Sequence, residues 1–278
     1  QRVGRRRVAN FPAACLHILL SNASTLDAQA WEAAQEQAAQ EMLGDWELVE
    51  QKARSTRSCG EAGCAWWAAA VAFFERNPNT DADYLAACLR KVICEGPSKR
   101  ARVPLIIGPR NAGESTVLEP ILDLFGEEKF VIKPKLGASC ALASLREPGK
   151  RFIFYDDYRL VEYASKPKDN PTITVTSFLA MFCGQRFQVG VSQSFNDGQP
   201  EIIWKRGAAM TAKKVGLWKP TAAVSREDIK QMQARVVQFS ADAVLREDGF
   251  ETIPKCGESF ARWLIVASAR FANRPSQH

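Results

Sequence analysis

The sequence predicts an α/β protein with a central, mostly parallel sheet and a helical region ahead of it, and three observations predict it. From about residue 99 onward, short apolar runs alternate with helical stretches and are parted by glycine-bearing turns, the texture of strand–helix–strand units. One run, Val103 to Ile107, passes straight into a loop bounded by Gly108 and Gly113, and a helical stretch follows at once. Before residue 98 the apolar residues recur at helical spacing instead. Residues 1–98 are therefore read as a helical N-terminal region and 99–278 as the α/β domain.

Taken in order, the run rich in Ala, Gln and Glu from Ser24 or Asp27 to Leu43 reads as a peripheral helix, since either residue can cap it and its apolar face is weak. Between Asp45 and Ser58 the chain is charged and aperiodic, and no element is expected. Gly60 to Arg76 and Asp81 to Cys94 predict two packed helices around Trp66, Trp67, Phe73, Phe74, Tyr84 and Leu89. Aromatics inside so Ala- and Val-rich a helix belong to a core, not to a base-stacking platform. After Glu95-Gly96-Pro97 and the basic cluster Lys99, Arg100 and Arg102, strands are expected at Val103 to Ile107, Phe130 to Ile132, Arg151 to Tyr155, Arg186 to Val191, Glu201 to Trp204 and Ala208 to Thr211. Helices are expected at Gly113 to Phe125, Ser139 to Leu145, Thr176 to Cys183, Ser225 to Ala234 and Glu258 to Phe271.

Composition narrows the function classes. At 278 residues, 46% hydrophobic and 24% charged, the chain is globular in character. Its longest apolar runs, such as Ala68 to Phe74, fall far short of the roughly 20 residues a bilayer requires, so no membrane span or membrane partner is expected. A net charge of +6 permits a polyanionic partner without demanding one. Eight cysteines at irregular spacing, with Cys59 and Cys64 the closest pair, predict reduced and mostly buried thiols. The two histidines, His17 and His278, rule against a zinc site, a His-based metal nuclease or a nucleophile–His triad. Arg5 to Arg7 and the apolar stretch from Val8 to Leu20 loosely imitate a signal peptide, but Asn10, Pro12 and His17 interrupt it, so an amphipathic helix or a linker of a longer chain fits as well.

The loop carries the chemistry. Gly108-Pro109-Arg110-Asn111-Ala112-Gly113-Glu114-Ser115-Thr116 has the frame GxxxxGK[ST], between a strand and a helix as that frame requires. Its glycines let backbone N–H groups wrap phosphates, the helix start adds positive potential, the lysine neutralises phosphate charge and the hydroxyl binds magnesium. Every part is present except the lysine, which is Glu114. Some 40 residues on, Arg151-Phe-Ile-Phe-Tyr155 ends in Asp156 and Asp157, as a strand does whose acids hold magnesium and orient water. ATP and Mg2+ are the expected cofactors, with Ser115 and Asp156 on the metal. One carboxylate replacing one ammonium turns an attraction of about 4 kcal/mol into a similar repulsion, a difference of roughly 8 kcal/mol before screening. Backbone amides, magnesium and Arg110 recover part of it. Efficient ATP turnover is not expected.

With these motifs in order, the chain resembles the superfamily 3 helicases, the Rep-type replication proteins of parvoviruses, circoviruses and related mobile elements, over about Trp66 to Phe271. Gly108 to Ser115 is similar to the GPxNTGKS loop of that family, and Ile153-Phe-Tyr-Asp-Asp157 to its motif B. Phe178 to Val189 and Val191 to Gly198 resemble the region of its DNA-tracking hairpin, and Ile202 to Lys213 stands where motif C belongs. The resemblance implies an AAA+-like domain, ATP-dependent DNA unwinding and assembly into a ring. It places single-stranded DNA along Arg186, Gln193, Phe195, Lys205 and Arg206. In Met232-Gln-Ala-Arg235-Val-Val-Gln-Phe239 it makes Arg235 an arginine finger for a neighbouring subunit. Three departures accompany it. Glu114 replaces the loop lysine, Ala212-Lys213 follows Thr211 where motif C ends in Asn, and Gln193 or Ser194 stands where many relatives carry a hairpin lysine. Lys213 offers a substitute cation. The His-hydrophobe-His motif of a nicking module is missing, so the chain corresponds to the motor region alone. The expected function is an impaired helicase motor; the alternative is a non-catalytic nucleic-acid-binding scaffold that keeps the fold.

Overall fold

The computed structural model describes residues 44–54, 64–126, 130–134, 142–147, 149–160, 174–189, 201–222, 224–244 and 253–274. The helix expected before Leu43 lies outside the described residues, as do Gln193, Ser194 and Phe195.

Five strands form one parallel sheet: β1 (Val103–Gly108), β2 (Val131–Ile132), β3 (Phe152–Tyr155), β6 (Gly207–Lys213) and β7 (Val236–Ser240), in the order β2-β3-β6-β1-β7. The remaining two, β4 (Arg186–Gln188) and β5 (Glu201–Ile203), pair antiparallel in a separate ribbon. Every residue of β1 and β3 is buried, as is β6 up to Ala212, which is what a parallel strand covered on both faces requires. Gly207 opens β6 because a β-carbon there would come within 2.3 Å of the Phe152 ring on the neighbouring strand.

Eight helices flank the sheet within the described residues: α1 (Gly44–Arg54), α2 (Ala65–Arg76), α3 (Ala82–Glu95), α4 (Glu114–Leu118), α5 (Pro120–Phe125), α6 (Val175–Met181), α7 (Arg226–Gln233) and α8 (Gly257–Ala272). Two cores result. One gathers α2, α3, α5 and α8 around Trp66, Phe73, Leu89, Phe125 and Phe260; the other joins α6 and α7 to Tyr155, Tyr158, Phe178 and Phe182. The helices ahead of residue 98 thus share a core with the sheet and with α8, which lies along α3 and against α1. Trp66 is 1% exposed and its indole N–H donates to the Thr116 carbonyl at 3.1 Å, so the tryptophan is core and also fastens α2 to the start of α4.

Several expectations need correction. The helix expected over Gly113 to Phe125 is two, because Pro120 lacks an N–H and starts a new helix at its first position. Ser139 to Leu145 yields, among its described residues, only a 3-10 turn at Ala143–Arg146, since Glu147 is extended ahead of Pro148. The charged segment after Asp45 is helix α1, which buries its own Val49 and is fixed from outside by Arg151 on Asp45 at 2.9 Å and by Arg262 on the Ala53 carbonyl at 2.8 Å. β7 had no expected strand at all. Among five described free cysteines only Cys64 is buried, while Cys94 at the end of α3 is exposed. Among the described residues no helix is long and apolar enough to cross a membrane.

Candidate nucleotide site

Because all five strands run parallel, their C-terminal ends share one edge, and in open α/β sheets ligands bind outside that edge. Four segments meet there: the loop after β1, Lys133 after β2, Asp156 and Asp157 after β3, and the end of β6 at Lys213. In the loop, Gly108 has no room for a side chain, since a β-carbon would lie 2.8 Å from that of Ala112. Asn111 and Gly113 take the left-handed region, with φ of 66° and 92°. That alternation curls the backbone between strand and helix into a concave turn. Arg110 is exposed at the loop's tip.

Ser115 and Asp156 meet directly. The Ser115 hydroxyl donates to Asp156 Oδ1 at 2.6 Å, and Thr211 on β6 donates to the same oxygen at 3.1 Å while accepting the Asp157 N–H at 3.1 Å. Lys133 Nζ stands 2.8 Å from Asp156 Oδ2 and 3.7 Å from Glu119. Burial works to raise the Asp156 carboxyl, but Lys133, Ser115 and Thr211 outweigh it, and the group sits below the usual carboxylate range. Asp157, at a left-handed φ of 56°, accepts Arg159 at 2.7 Å and Lys213 at 3.1 Å on Oδ2. Those two cations likewise overcome its burial and hold it low. Its Oδ1 is buried with no hydrogen-bond partner among the described residues.

This donor set fits magnesium. A hydroxyl and a carboxylate already in contact, with a second acid beside them whose inner oxygen lacks a partner, supply the one or two hard ligands that magnesium takes from protein while water and phosphate complete the octahedron. Glu114 fits less well. It is 9% exposed at the first turn of α4, and burial raises its carboxyl above the usual range. Its own N–H and Lys213 counter this, whereas Asp156 and Asp157 add to it.

The other site residues lie elsewhere. Lys205 and Arg206 precede β6 and Arg186 opens β4, so they belong to the N-terminal edge of the sheet and its ribbon, away from the loop. Lys205 and Arg186 are exposed and Arg206 is half-buried. Gln193 and Phe195 lie outside the described residues. Arg235 also precedes its strand, β7, at that opposite edge; it donates to Cys183 Sγ at 3.0 Å and to the Gln231 carbonyl at 2.6 Å. Sequence reasoning missed Lys133 and Arg159. For Lys133 a signal existed, a lysine directly after an apolar strand in a parallel sheet; Arg159 offered none.

No protein-family model matches the sequence, and no curated protein matches it. Among solved structures, the apo NrS-1 C-terminal region is 15% identical at a TM-score of 0.42, over 73% of this chain and 45% of that one. A JCV helicase is 14% identical at a TM-score of 0.43, over 90% of this chain and 74% of that one. This chain therefore spans less than half the length of the NrS-1 chain.

Proposed function

We propose that the chain is a P-loop nucleotide-binding domain of helicase type, the motor region of a Rep-like replication protein whose ATP affinity and turnover are held down by Glu114. The observation that carries this reading is the Ser115–Asp156–Thr211 network at the C-terminal edge of a parallel sheet, directly beside a glycine loop. Magnesium ATP, when bound, supplies the phosphoanhydride whose hydrolysis drives movement along DNA. The loop backbone from Gly108 to Gly113 binds phosphate, Ser115 and Asp156 hold the metal, and Thr211 keeps Asp156 aimed at Ser115. Asp157 orients water, with Arg159 fixing its carboxylate. On this reading Arg186, Lys205 and Arg206, with Gln193 and Phe195, bind single-stranded DNA, and Arg235 serves a neighbouring copy in a ring.

The buried carboxylate of Glu114 favours a second reading, a nucleic-acid-binding scaffold without turnover. Titration of the chain with labelled ATP and magnesium tests both. The motor reading expects weak binding, slow hydrolysis and recovery of both in Glu114→Lys. DNA binding with no nucleotide binding in either form establishes the scaffold instead.

A further inference from the structure

We infer that Lys213 supplies the phosphate-binding ammonium that Glu114 removes from the loop, so that the cation of this site stands on the neighbouring strand. The inference rests on the nucleotide reading above and names the residue that carries its residual affinity.

Register places Lys213 first. On adjacent parallel strands Lys213 is paired with Gly108, the opening residue of the loop, and the Lys214 N–H donates to the Gly108 carbonyl at 3.0 Å. Adjacent strands lie about 4.8 Å apart, so the lysine's backbone flanks the loop. Direction follows from the pleat. Residues two apart on a strand share a face, and Thr211 already reaches Asp156 and Ser115 from β6. Lys213 extends from that same face one step nearer the loop, with Nζ 3.1 Å from Asp157 Oδ2.

Release separates Lys213 from the other lysine. Asp157 Oδ2 also accepts Arg159 at 2.7 Å, so when Lys213 turns to a phosphate the carboxylate keeps a guanidinium. Lys133 holds Asp156 Oδ2 at 2.8 Å while Ser115 and Thr211 occupy Oδ1, so its departure strips that oxygen of its cation. A partly buried carboxylate left without its cation is penalised, whereas Asp157 keeps one.

The test measures anisotropy of fluorescent ATP with magnesium on the full chain, in unmodified and Glu114→Lys backgrounds, each with Lys213→Ala, Lys213→Met or Lys133→Ala. Circular dichroism checks folding. In the unmodified background both Lys213 variants should weaken binding about tenfold, the change expected from about 1.4 kcal/mol. In the Glu114→Lys background the same changes should cost less than about twofold, because the loop ammonium has returned. Undiminished affinity on loss of Lys213, an equal loss in both backgrounds, or a tenfold loss confined to Lys133→Ala overturns the inference. So does nucleotide binding that appears only in the Glu114→Lys chain. A folded Glu114→Lys chain that binds no ATP removes the nucleotide reading itself, and the inference falls with it.

Discussion

On the proposed nucleotide reading, the carboxylate of Glu114, at the first turn of α4, lies where a lysine would meet phosphate. Changing its charge should therefore act on binding far more than on folding. Glu114→Gln removes the repulsion without adding an attraction and is expected to tighten ATP about tenfold; Glu114→Lys adds the attraction and should gain about a hundredfold, or about 2.8 kcal/mol. Calorimetric titration with magnesium ATP measures both, and equal affinities in all three forms would show that the side chain swings clear of the phosphates. Ser115 and Asp156 were legible in the sequence because each has a fixed offset from a local signal, the loop glycine and the end of an apolar strand. Lys133 and Arg159 were not, since their roles arise only when β2 lies beside β3 and the chain turns back after Asp157.

At the level of elements, α3 and α8 are tied by charge as well as by packing. Asp81 caps α3, accepting the N–H groups of Asp83 and Tyr84, and Arg274 at the end of α8 closes on both Asp81 and Asp83. The Arg274 guanidinium, with the two N–H groups, holds the Asp81 carboxyl below its ordinary value against partial burial. A carboxyl lowered in the folded state adds stability that is present above its unfolded value and is lost as pH falls through the lower folded one. Asp81→Ala should thus cost about 1 kcal/mol at neutral pH, as helix caps do, and the gap from the unmodified chain should narrow in acid. Urea unfolding at pH 7 and near pH 3 would reveal a gap of constant size if the cap charge is idle. Gly207→Ala, which drives a methyl into the Phe152 ring, should destabilise by about 1–3 kcal/mol. The strands of the central sheet were legible as apolar runs, with β7 the exception. Its burial is irregular, with only Val236 and Phe239 buried, and it follows helix α7 so closely that no turn signal separates them. Helix α1 escaped for the opposite reason: its own residues barely specify it, and contacts from Arg151 and Arg262, more than a hundred residues away, hold it.

For the whole molecule, expected behaviour turns on assembly and on DNA. Without nucleotide to bridge subunits, the chain should sediment as a monomer, with Arg235 remaining on Cys183 and Gln231. Glu114→Lys with ATP should shift mass toward oligomers, and Arg235→Ala should weaken that shift; a ring formed by the unmodified chain alone would remove Arg235 from its role. Lys205→Ala with Arg206→Ala should weaken single-stranded DNA binding and reduce the salt slope by about 0.7 for each phosphate no longer neutralised. An unchanged slope takes both residues out of the interface. These two lysine and arginine positions stand at one end of β6, and Thr211 and Lys213 stand at the other, about 20 Å away at the usual rise for seven residues. The strand between them is stitched to β3 on one side and β1 on the other, so it cannot slip lengthwise without tearing both ladders. It works as a connecting rod cast into its housing. A displacement begun at the Thr211 and Lys213 end arrives at the Lys205 and Arg206 end only as a tilt of the entire sheet.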